Sequence, residues 1–223
     1  MEAVFSDHWD CPHQFSDEPS WQESDCYWFY DVKLGVGGFH RIGQKPNKGT
    51  GQLMLFVFKT GGERFVLNSA PRNEVQLGAD ARQSRKQVVG SHTAEALGDG
   101  RMRYTWDEPE SSADIEFYES FYTPRNWPSG KDTEHFEEAT NSDGHLECGG
   151  RIRGKVRIGD NEYEIDALAH RDRSWGKRSD SAPMMHRYRM YTGTCGSELS
   201  FAGFFLDFNE TTPMTMGFVD RNG

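Results

Sequence analysis

The chain has 223 residues, which is enough for one large β domain or for one barrel and part of a second. Only 35% of the residues are hydrophobic but 13% are aromatic, a combination that excludes disorder and suits strands with an aromatic inner wall. The formal net charge of −10 argues against nucleic acid and anionic lipid as partners and serves solubility.

The N-terminus, the cysteines and the histidines exclude several classes of protein. Residues 1–15 (MEAVFSDHWDCPHQF) contain no apolar stretch typical of a secretory signal, and no segment has the ~20 apolar residues that a membrane span needs. No CxxC pair occurs among the four cysteines, and the eight histidines show no HExxH or similar ligand spacing. We therefore expect a cytoplasmic protein without metal, cofactor or membrane span.

In chain order, short segments rich in aromatic and β-branched residues alternate with turn residues, and long helical periodicity is almost absent. Such spacing predicts an all-β antiparallel barrel or sandwich. The predicted strands are Tyr27–Val32, Gly37–Ile42, Gln52–Lys59, Arg64–Leu67, Gln87–Ala94, Arg101–Trp106, Ala113–Tyr122, Leu146–Ile158, Glu162–Ala169, His186–Gly193, Leu199–Phe208 and Thr215–Val219.

Two segments depart from this rhythm. Thr123–Gly144 is a long polar connection with a predicted helical turn at Asp132–Ala139, and it is either a lid over a site or an insertion. The chain stops at Asn222-Gly223, a hairpin-turn pair with no strand after it. We therefore expect a truncated sequence or an incomplete second barrel.

Two short motifs do not support the functions that they suggest. Gly35–His40 (GVGGFH) lacks the last glycine of a nucleotide loop, and a hairpin turn that needs positive φ explains its glycines. His170-Arg-Asp172 resembles a kinase catalytic loop, but Lys177 stands where that loop has Asn, and no glycine-rich loop accompanies it.

Two longer blocks resemble signature stretches of the carotenoid 1,2-hydratase (hydroxyneurosporene synthase) family and its lipocalin-like relatives. The first block is Trp21–Gly43 (WQESDCYWFYDVKLGVGGFHRIG) with Lys45–Gly49 (KPNKG), and the second is Ala169–Arg178 (AHRDRSWGKR). Both occur in the family's order and at about its separation. The sequence departs from the family at Gln22 and Val32, where Asn and Pro are usual, and in lacking a complete second barrel.

The resemblance implies an antiparallel lipocalin-like barrel over residues 1–168 and the start of a second barrel over 169–223. It also implies a hydrophobic small-molecule ligand such as an isoprenoid, steroid or polyketide. The favoured function is a hydro-lyase (hydratase) or a cyclase/isomerase that uses no cofactor. The alternatives are a non-catalytic carrier of the same kind of ligand and a scaffold whose barrel is filled by aromatic side chains.

His170 and Asp172 are the catalytic candidates. Two residues apart in a strand, they would share one face, and an acid in an apolar pocket beside an aromatic ring can protonate an alkene and stabilise the cation. The structural alternative is equally specific. Arg171 and Arg173 flank Asp172 and would lower its pKa, so that the four residues form an ion cluster which locks two barrels together.

Further residues are predicted to line the ligand site. An arginine pair, Arg187 and Arg189, either holds a polar head group or balances acidic neighbours outside the barrel. The predicted ligand-binding residues are Tyr30, Phe39, His40, Arg41, Tyr118, Tyr122, Trp175, His186 and Tyr188.

Overall fold

Almost every element of the protein is an antiparallel β-strand. The computed structural model describes residues 5–69, 73–126, 143–178, 187–207 and 214–221. One short helix, α1 (Asp7–Asp10), and one 3-10 turn (Pro46–Lys48) accompany the strands. The strands are β1 (Trp21–Asp31), β2 (Val36–Lys45), β3 (Thr50–Lys59), β4 (Arg64–Asn68), β5 (Val75–Gln76), β6 (Lys86–Val89), β7 (His92–Gly98), β8 (Arg101–Glu108), β9 (Ser111–Ser120), β10 (Arg125–Asn126), β11 (Gly144–Ile158), β12 (Asn161–Lys177), β13 (Arg187–Thr194), β14 (Leu199–Asp207) and β15 (Met214–Arg221).

The strands form two sheets of unequal size. The first sheet has the order β4-β3-β2-β1-β12-β11-β9-β8-β7-β6, with β5 paired to β3 and β10 paired to β11. The second sheet contains β13, β14 and β15 in chain order. Because β1 pairs with β12, the N-terminal block of the chain lies directly beside the second sequence block.

The predicted strands are confirmed in type, but most of them begin or end at other residues than predicted, and two differ more substantially. Gln87–Ala94, predicted as one strand, is divided into β6 and β7 because Gly90 turns the chain with φ +58°. Glu162–Ala169 is the middle of the much longer β12, which continues through the second sequence block to Lys177 within the first sheet. The central part of the 123–144 connection, with its predicted helical turn, and the final Asn-Gly pair lie outside the described residues.

The first sheet curls so that its last strand, β6, contacts β2 and β3 near the other end. The side-chain amide of Gln44 in β2 donates hydrogen bonds to the carbonyls of Ala81, at 2.7 Å, and Val88, at 3.1 Å. Val89 in β6 packs so closely on Gly51 in β3 that an added Cβ there would lie 2.7 Å from its side chain. Both contacts bring β6 against the opposite end of the same sheet.

Buried apolar side chains pack together in the interior of the curl. The rings of Tyr27 and Tyr104 meet at a centroid distance of 4.2 Å near its centre. Burying such aromatic and branched side chains is the main favourable contribution to folding. The buried apolar side chains are those of Tyr27, Phe29, Val36, Ile42, Leu53, Leu55, Val57, Val89, Ala94, Ala96, Met102, Tyr104, Trp106, Ile115, Phe117, Ile152, Val156, Ile158, Ile165, Ala167 and Ala169.

One end of the interior is polar and holds a buried ion network. Arg173 in β12 pairs with Glu23 and, at 2.9 Å, with Asp25 in β1. Two residues earlier, Arg171 pairs at 2.7 Å with Asp10 at the end of α1. Since a buried charge without a partner is strongly destabilising, these pairs fix the N-terminal segment against β1 and β12.

Glu23 is the most highly connected carboxylate of this network. It pairs with Nδ1 of His13 at 2.8 Å and with Nη2 of Arg82 at 2.7 Å, in addition to Arg173. Burial raises the pKa of Glu23, but the three basic partners outweigh burial and lower that pKa to about 2. Glu23 is therefore a carboxylate at neutral pH.

No helix among the described residues is both long and apolar enough to cross a membrane.

We expect Glu23→Gln to reduce the free energy of unfolding by about 3 kcal/mol, because it leaves buried basic groups without their counter-charge. Urea unfolding at pH 7 measures this loss. The folded pKa is about 2 against an ordinary value of 4.5. The stabilisation is therefore complete above pH 4.5 and is lost as the pH falls towards 2.

The matched control for this experiment is Glu162→Gln, which removes an exposed ion pair with Lys155. Exposed pairs contribute little to stability, so the control should unfold at the same urea concentration as the unchanged protein. An equally small effect of Glu23→Gln would contradict the structural role of the network.

Candidate functional site

The outer face of the first sheet carries a patch to which four neighbouring strands contribute. Residues directly opposite each other on paired strands share a face, so the register places the side chains of β2, β1, β12 and β11 in rows. The three rows are Phe39–Trp28–His170–Gly149, Arg41–Cys26–Asp172–Glu147 and Gly43–Ser24–Ser174–His145.

Alternation along β12 explains why this patch differs from the barrel interior. Arg171 and Arg173 point inward to the ion network, whereas His170 and Asp172 point outward. The predicted common face of His170 and Asp172 is therefore confirmed. The two arginines and Asp172 lie on opposite faces, so they do not form the predicted single ion cluster.

Four of these outward residues form the outer-face cluster, which we define as His145, Glu147, His170 and Asp172. Nε2 of His145 lies 2.9 Å from Oδ2 of Asp172 and 3.3 Å from Oε1 of Glu147. The other carboxylate oxygen of Glu147 hydrogen-bonds to Nε2 of His170. Each histidine therefore meets a carboxylate, and Glu147 lies between the two rings.

The residues of the outer-face cluster differ in how much of their side chain is exposed. The side chain of Glu147 is fully buried, and its Oε1 lies 3.3 Å from Nε2 of His145. The side chains of His145 and Asp172 keep 11% and 16% of their surface exposed. A molecule placed against this face can therefore contact His145 and Asp172 first, with Glu147 beneath them.

The protonation states follow from mutual pairing. Burial lowers the pKa of His145, but the carboxylates of Asp172 and Glu147 outweigh burial and raise it to about 10. Burial likewise raises the pKa of Asp172, and the charge and hydrogen bond of His145 more than reverse this, so the pKa is lowered. His145 is an imidazolium and Asp172 a carboxylate at neutral pH.

The second sheet covers part of this patch with aromatic and hydroxyl side chains. Trp28 stacks on His170 at a centroid distance of 4.8 Å, and its indole N–H donates to Oγ1 of Thr192 in β13 at 2.6 Å. Phe204 of β14 lies 6.1 Å from the ring of His145. The outer-face cluster is therefore a group of polar side chains that lies between aromatic residues of the two sheets.

The predicted site residues fall into three groups. His170, Asp172, Phe39 and Arg41 lie in the rows of the patch. Tyr122 lies beside it, where its hydroxyl accepts a hydrogen bond from the backbone N–H of Gly149 at 2.8 Å.

A second group lies away from the patch. His40 is buried in the interior, with Nε2 2.9 Å from Nδ1 of His92, and Trp175 stacks on His13 on the interior side at 3.8 Å. Tyr30 is exposed on the outer face, where its hydroxyl bonds to Thr60.

The remaining predictions have partial or no structural description. Tyr118 bonds to Asp166 on the surface of the first sheet at 3.3 Å. Tyr188 is described only by its backbone, which pairs with Leu206, and His186 lies outside the described residues.

Sequence reasoning missed His145 and Glu147. The signal was present, because His145-Leu-Glu147 repeats the His-x-acid pattern of His170-Arg-Asp172 at the start of a predicted strand. The pattern does not determine the register between β11 and β12. That register pairs Glu147 with Asp172 and places the two motifs side by side.

A metal ion is one possible occupant of the cluster. Ligand atoms of His145, Glu147 and Asp172 lie within 4.8 Å of one another. However, His145 carries a proton at neutral pH, and the row that holds Glu147 and Asp172 also contains Arg41. This positive charge opposes a cation, so the arrangement fits proton transfer and anion recognition better than metal binding.

Comparisons with known proteins bear on the fold. A candidate AttH protein from Nitrosomonas europaea superposes with a TM-score of 0.68 at 10% identity, over 98% of this chain and 69% of its own. CghA, crystallised with Sch210972, superposes with a TM-score of 0.55 at 11% identity, over 92% of this chain and 59% of its own. No curated protein matches the chain.

Both structural neighbours are lipocalin-like barrel proteins, so the predicted antiparallel, all-β lipocalin-like fold is confirmed. Identities this low show the fold alone. This chain spans only part of each neighbour's length. A family profile matches residues 6–223, and the chain therefore belongs to that family, the domain of unknown function DUF7064.

Proposed function

We propose that the protein binds a hydrophobic small molecule against the outer-face cluster and transforms it by proton transfer, without a cofactor. The observation that carries this proposal is the pairing of His145 with Asp172 beside the buried Glu147–His170 pair. An acid and a base held a few ångströms apart under partly aromatic cover are the elements of general acid–base catalysis.

The pKa of His145 decides which reaction class fits best. With a pKa of about 10, the His145 imidazolium is too weak an acid to protonate an isolated alkene, but it is a strong hydrogen-bond donor. Such a donor stabilises the oxyanion that forms when a proton is removed next to a carbonyl. The cluster therefore favours a cyclase or isomerase acting on a carbonyl compound over a hydratase of isolated double bonds.

The other residues of the cluster take complementary roles in this mechanism. In this mechanism Glu147, whose Oε1 lies 3.3 Å from Nε2 of His145, accepts the proton from the carbon next to the carbonyl. His170 holds the second oxygen of that carboxylate, and Asp172 keeps His145 protonated and oriented. Return of the proton to a different carbon completes an isomerisation, with no net change in composition.

Two further observations support a small-molecule role. The fold is lipocalin-like, and the structural neighbour CghA was crystallised with Sch210972. The two sequence blocks that resemble carotenoid 1,2-hydratases contribute most of the rows of the patch, including His170 and Asp172. Hydration of an isoprenoid is the alternative reaction that this resemblance suggests.

Deuterium incorporation tests the proposed chemistry even before the substrate is identified. We expect the protein, incubated in D2O with a lipid-soluble extract of its source cells, to place deuterium on carbon in a bound carbonyl compound, detected by mass spectrometry. His145→Gln and Glu147→Gln should each slow this by about 10²- to 10⁴-fold while the compound still binds.

Asp166→Asn is the matched control for these variants. Asp166 lies on the same strand and face as Asp172 but pairs with Arg151 away from the cluster, so the control should exchange deuterium at the unchanged rate. A ligand that binds and is recovered without deuterium and without any change of structure would instead support the carrier alternative.

The protonation state of His145 is separately measurable by NMR of its imidazole nitrogens. We expect a protonated ring at pH 8 that titrates near pH 10, and a lower pKa in Asp172→Asn. Because the folded pKa exceeds the ordinary value of 6.5, the stabilisation from this pair is complete below pH 6.5 and is lost as the pH rises towards 10. A neutral His145 ring at pH 8 would contradict the assigned donor role.

A further inference from the structure

We propose that Arg41, Arg178, Ser24 and Ser174 form an oxyanion-binding subsite beside the outer-face cluster, and that the ligand is an apolar organic acid held by its carboxylate. This inference rests on the proposed function, because it specifies the class of compound which the cluster acts on. It adds a group of residues that the proton chemistry itself does not use.

Two serine hydroxyls form the base of the subsite. Ser24 in β1 lies opposite Ser174 in β12, and their Oγ atoms are 3.3 Å apart. Both serines are buried on the outer face, in the same row as His145. Nη2 of Arg178, just after β12, donates to Oγ of Ser174 at 2.7 Å and approaches the pair from one side.

Arg41 approaches the same serines from the opposite side. A Cβ added to Gly43, which is paired with Ser24, would lie 3.1–3.3 Å from Nη2, Nη1 and Cζ of Arg41. The guanidinium therefore lies across the space that the missing side chain of Gly43 leaves. Since Gly43 is an ordinary strand residue without positive φ, room for this guanidinium is the physical reason for a glycine there.

The guanidinium of Arg41 is only weakly engaged. Its one hydrogen bond to a side chain in the described structure, from Nη1 to Oε1 of Gln52, is 3.4 Å long. It forms no ion pair with any residue in the described ranges, although the protein as a whole carries a net charge of −10. A half-buried arginine with spare donors is suited to a carboxylate, which two of its N–H groups can bind side by side.

The electrostatic environment also favours an anion at this point. Burial lowers the pKa of Arg178, the nearby Arg41 lowers it further, and Asp172 and Asp143 oppose both effects. The guanidinium of Arg178 is bonded to Ser174, that of Arg41 lies over Gly43 beside Ser24, and the His145 imidazolium is next in the row. A bound carboxylate relieves this repulsion between like charges.

The geometry also limits the distance between the carboxylate and the reacting carbonyl. Ser174 and His145 stand opposite each other on neighbouring strands, which are about 4.8 Å apart. An acid held at the serines therefore presents its first few carbons to the cluster. The ligand class that fits is an apolar oxo acid whose carbonyl lies a few bonds from the carboxylate.

The test compares the binding of 4-oxodecanoate with that of its methyl ester, by isothermal titration calorimetry on the full chain at pH 7.5. We expect the unchanged protein to bind the acid at least about tenfold more tightly than the ester, from one charge-assisted contact. Arg41→Gln should abolish this preference and leave the affinity for the ester unchanged. Arg151→Gln, on the same face but paired with Asp166, is the control and should keep the preference.

Gly43→Ala is a second test variant. It keeps Arg41 but places a methyl group in the space that the Arg41 guanidinium occupies. It too should lose the preference for the acid. Equal affinities for acid and ester in the unchanged protein, equal weakening of both by Arg41→Gln, or no binding of the acid would overturn the subsite. A preference for the acid in an unchanged protein that incorporates no deuterium would retain the subsite and refute the proposed proton chemistry.

Discussion

Every charge on the last part of β12 needs a partner on the face to which it points, and this requirement organises the molecule. The inward arginines, Arg171 and Arg173, are matched by carboxylates of β1 and α1, which fixes the N-terminal segment over the end of the barrel. The outward residues, His170 and Asp172, are matched from β11. One strand thus supports a structural ion network on one side and a candidate reaction site on the other.

The interior of the curl is lined with buried apolar and aromatic side chains, and the candidate site lies outside it. Tyr27, Tyr104 and the surrounding apolar side chains occupy the inside of the curl, and the ion network occupies its end. The paired histidines and carboxylates of the outer-face cluster lie instead on the outer face, beside the second sheet. A candidate site at a seam between sheets leaves the core free to supply stability, because the residues of the outer-face cluster are not required to fill the hydrophobic interior.

The sequence was sufficient for the fold, because alternating aromatic residues and turn residues are local signals. The sequence also predicted that His170 and Asp172 share one face, because residues two apart in a strand point to the same side. It failed where the answer depends on pairing between distant segments. His40 was predicted to line the ligand site. Its position in β2 instead directs its side chain into the interior, where it contacts His92.

The same limit explains why the partner that lowers the pKa of Asp172 was not predicted. Neighbours in sequence suggested that Arg171 and Arg173 set its pKa, but neighbours in a strand point to opposite faces. Its actual partner, His145, is 27 residues away along the chain and is brought beside it only by the β11–β12 register. The predicted domain boundary at 168/169 stays a prediction, while β12 itself runs unbroken across that position.

The shared register of β11 and β12 has an evolutionary consequence. A single-residue insertion or deletion in either strand would exchange the two faces beyond that point, turning arginines outward and the His-x-acid pairs inward. Stability and reactivity would be lost in one event. Relatives of this protein can therefore diversify by replacing side chains within the three rows, whereas the length of these two strands is constrained by both requirements together.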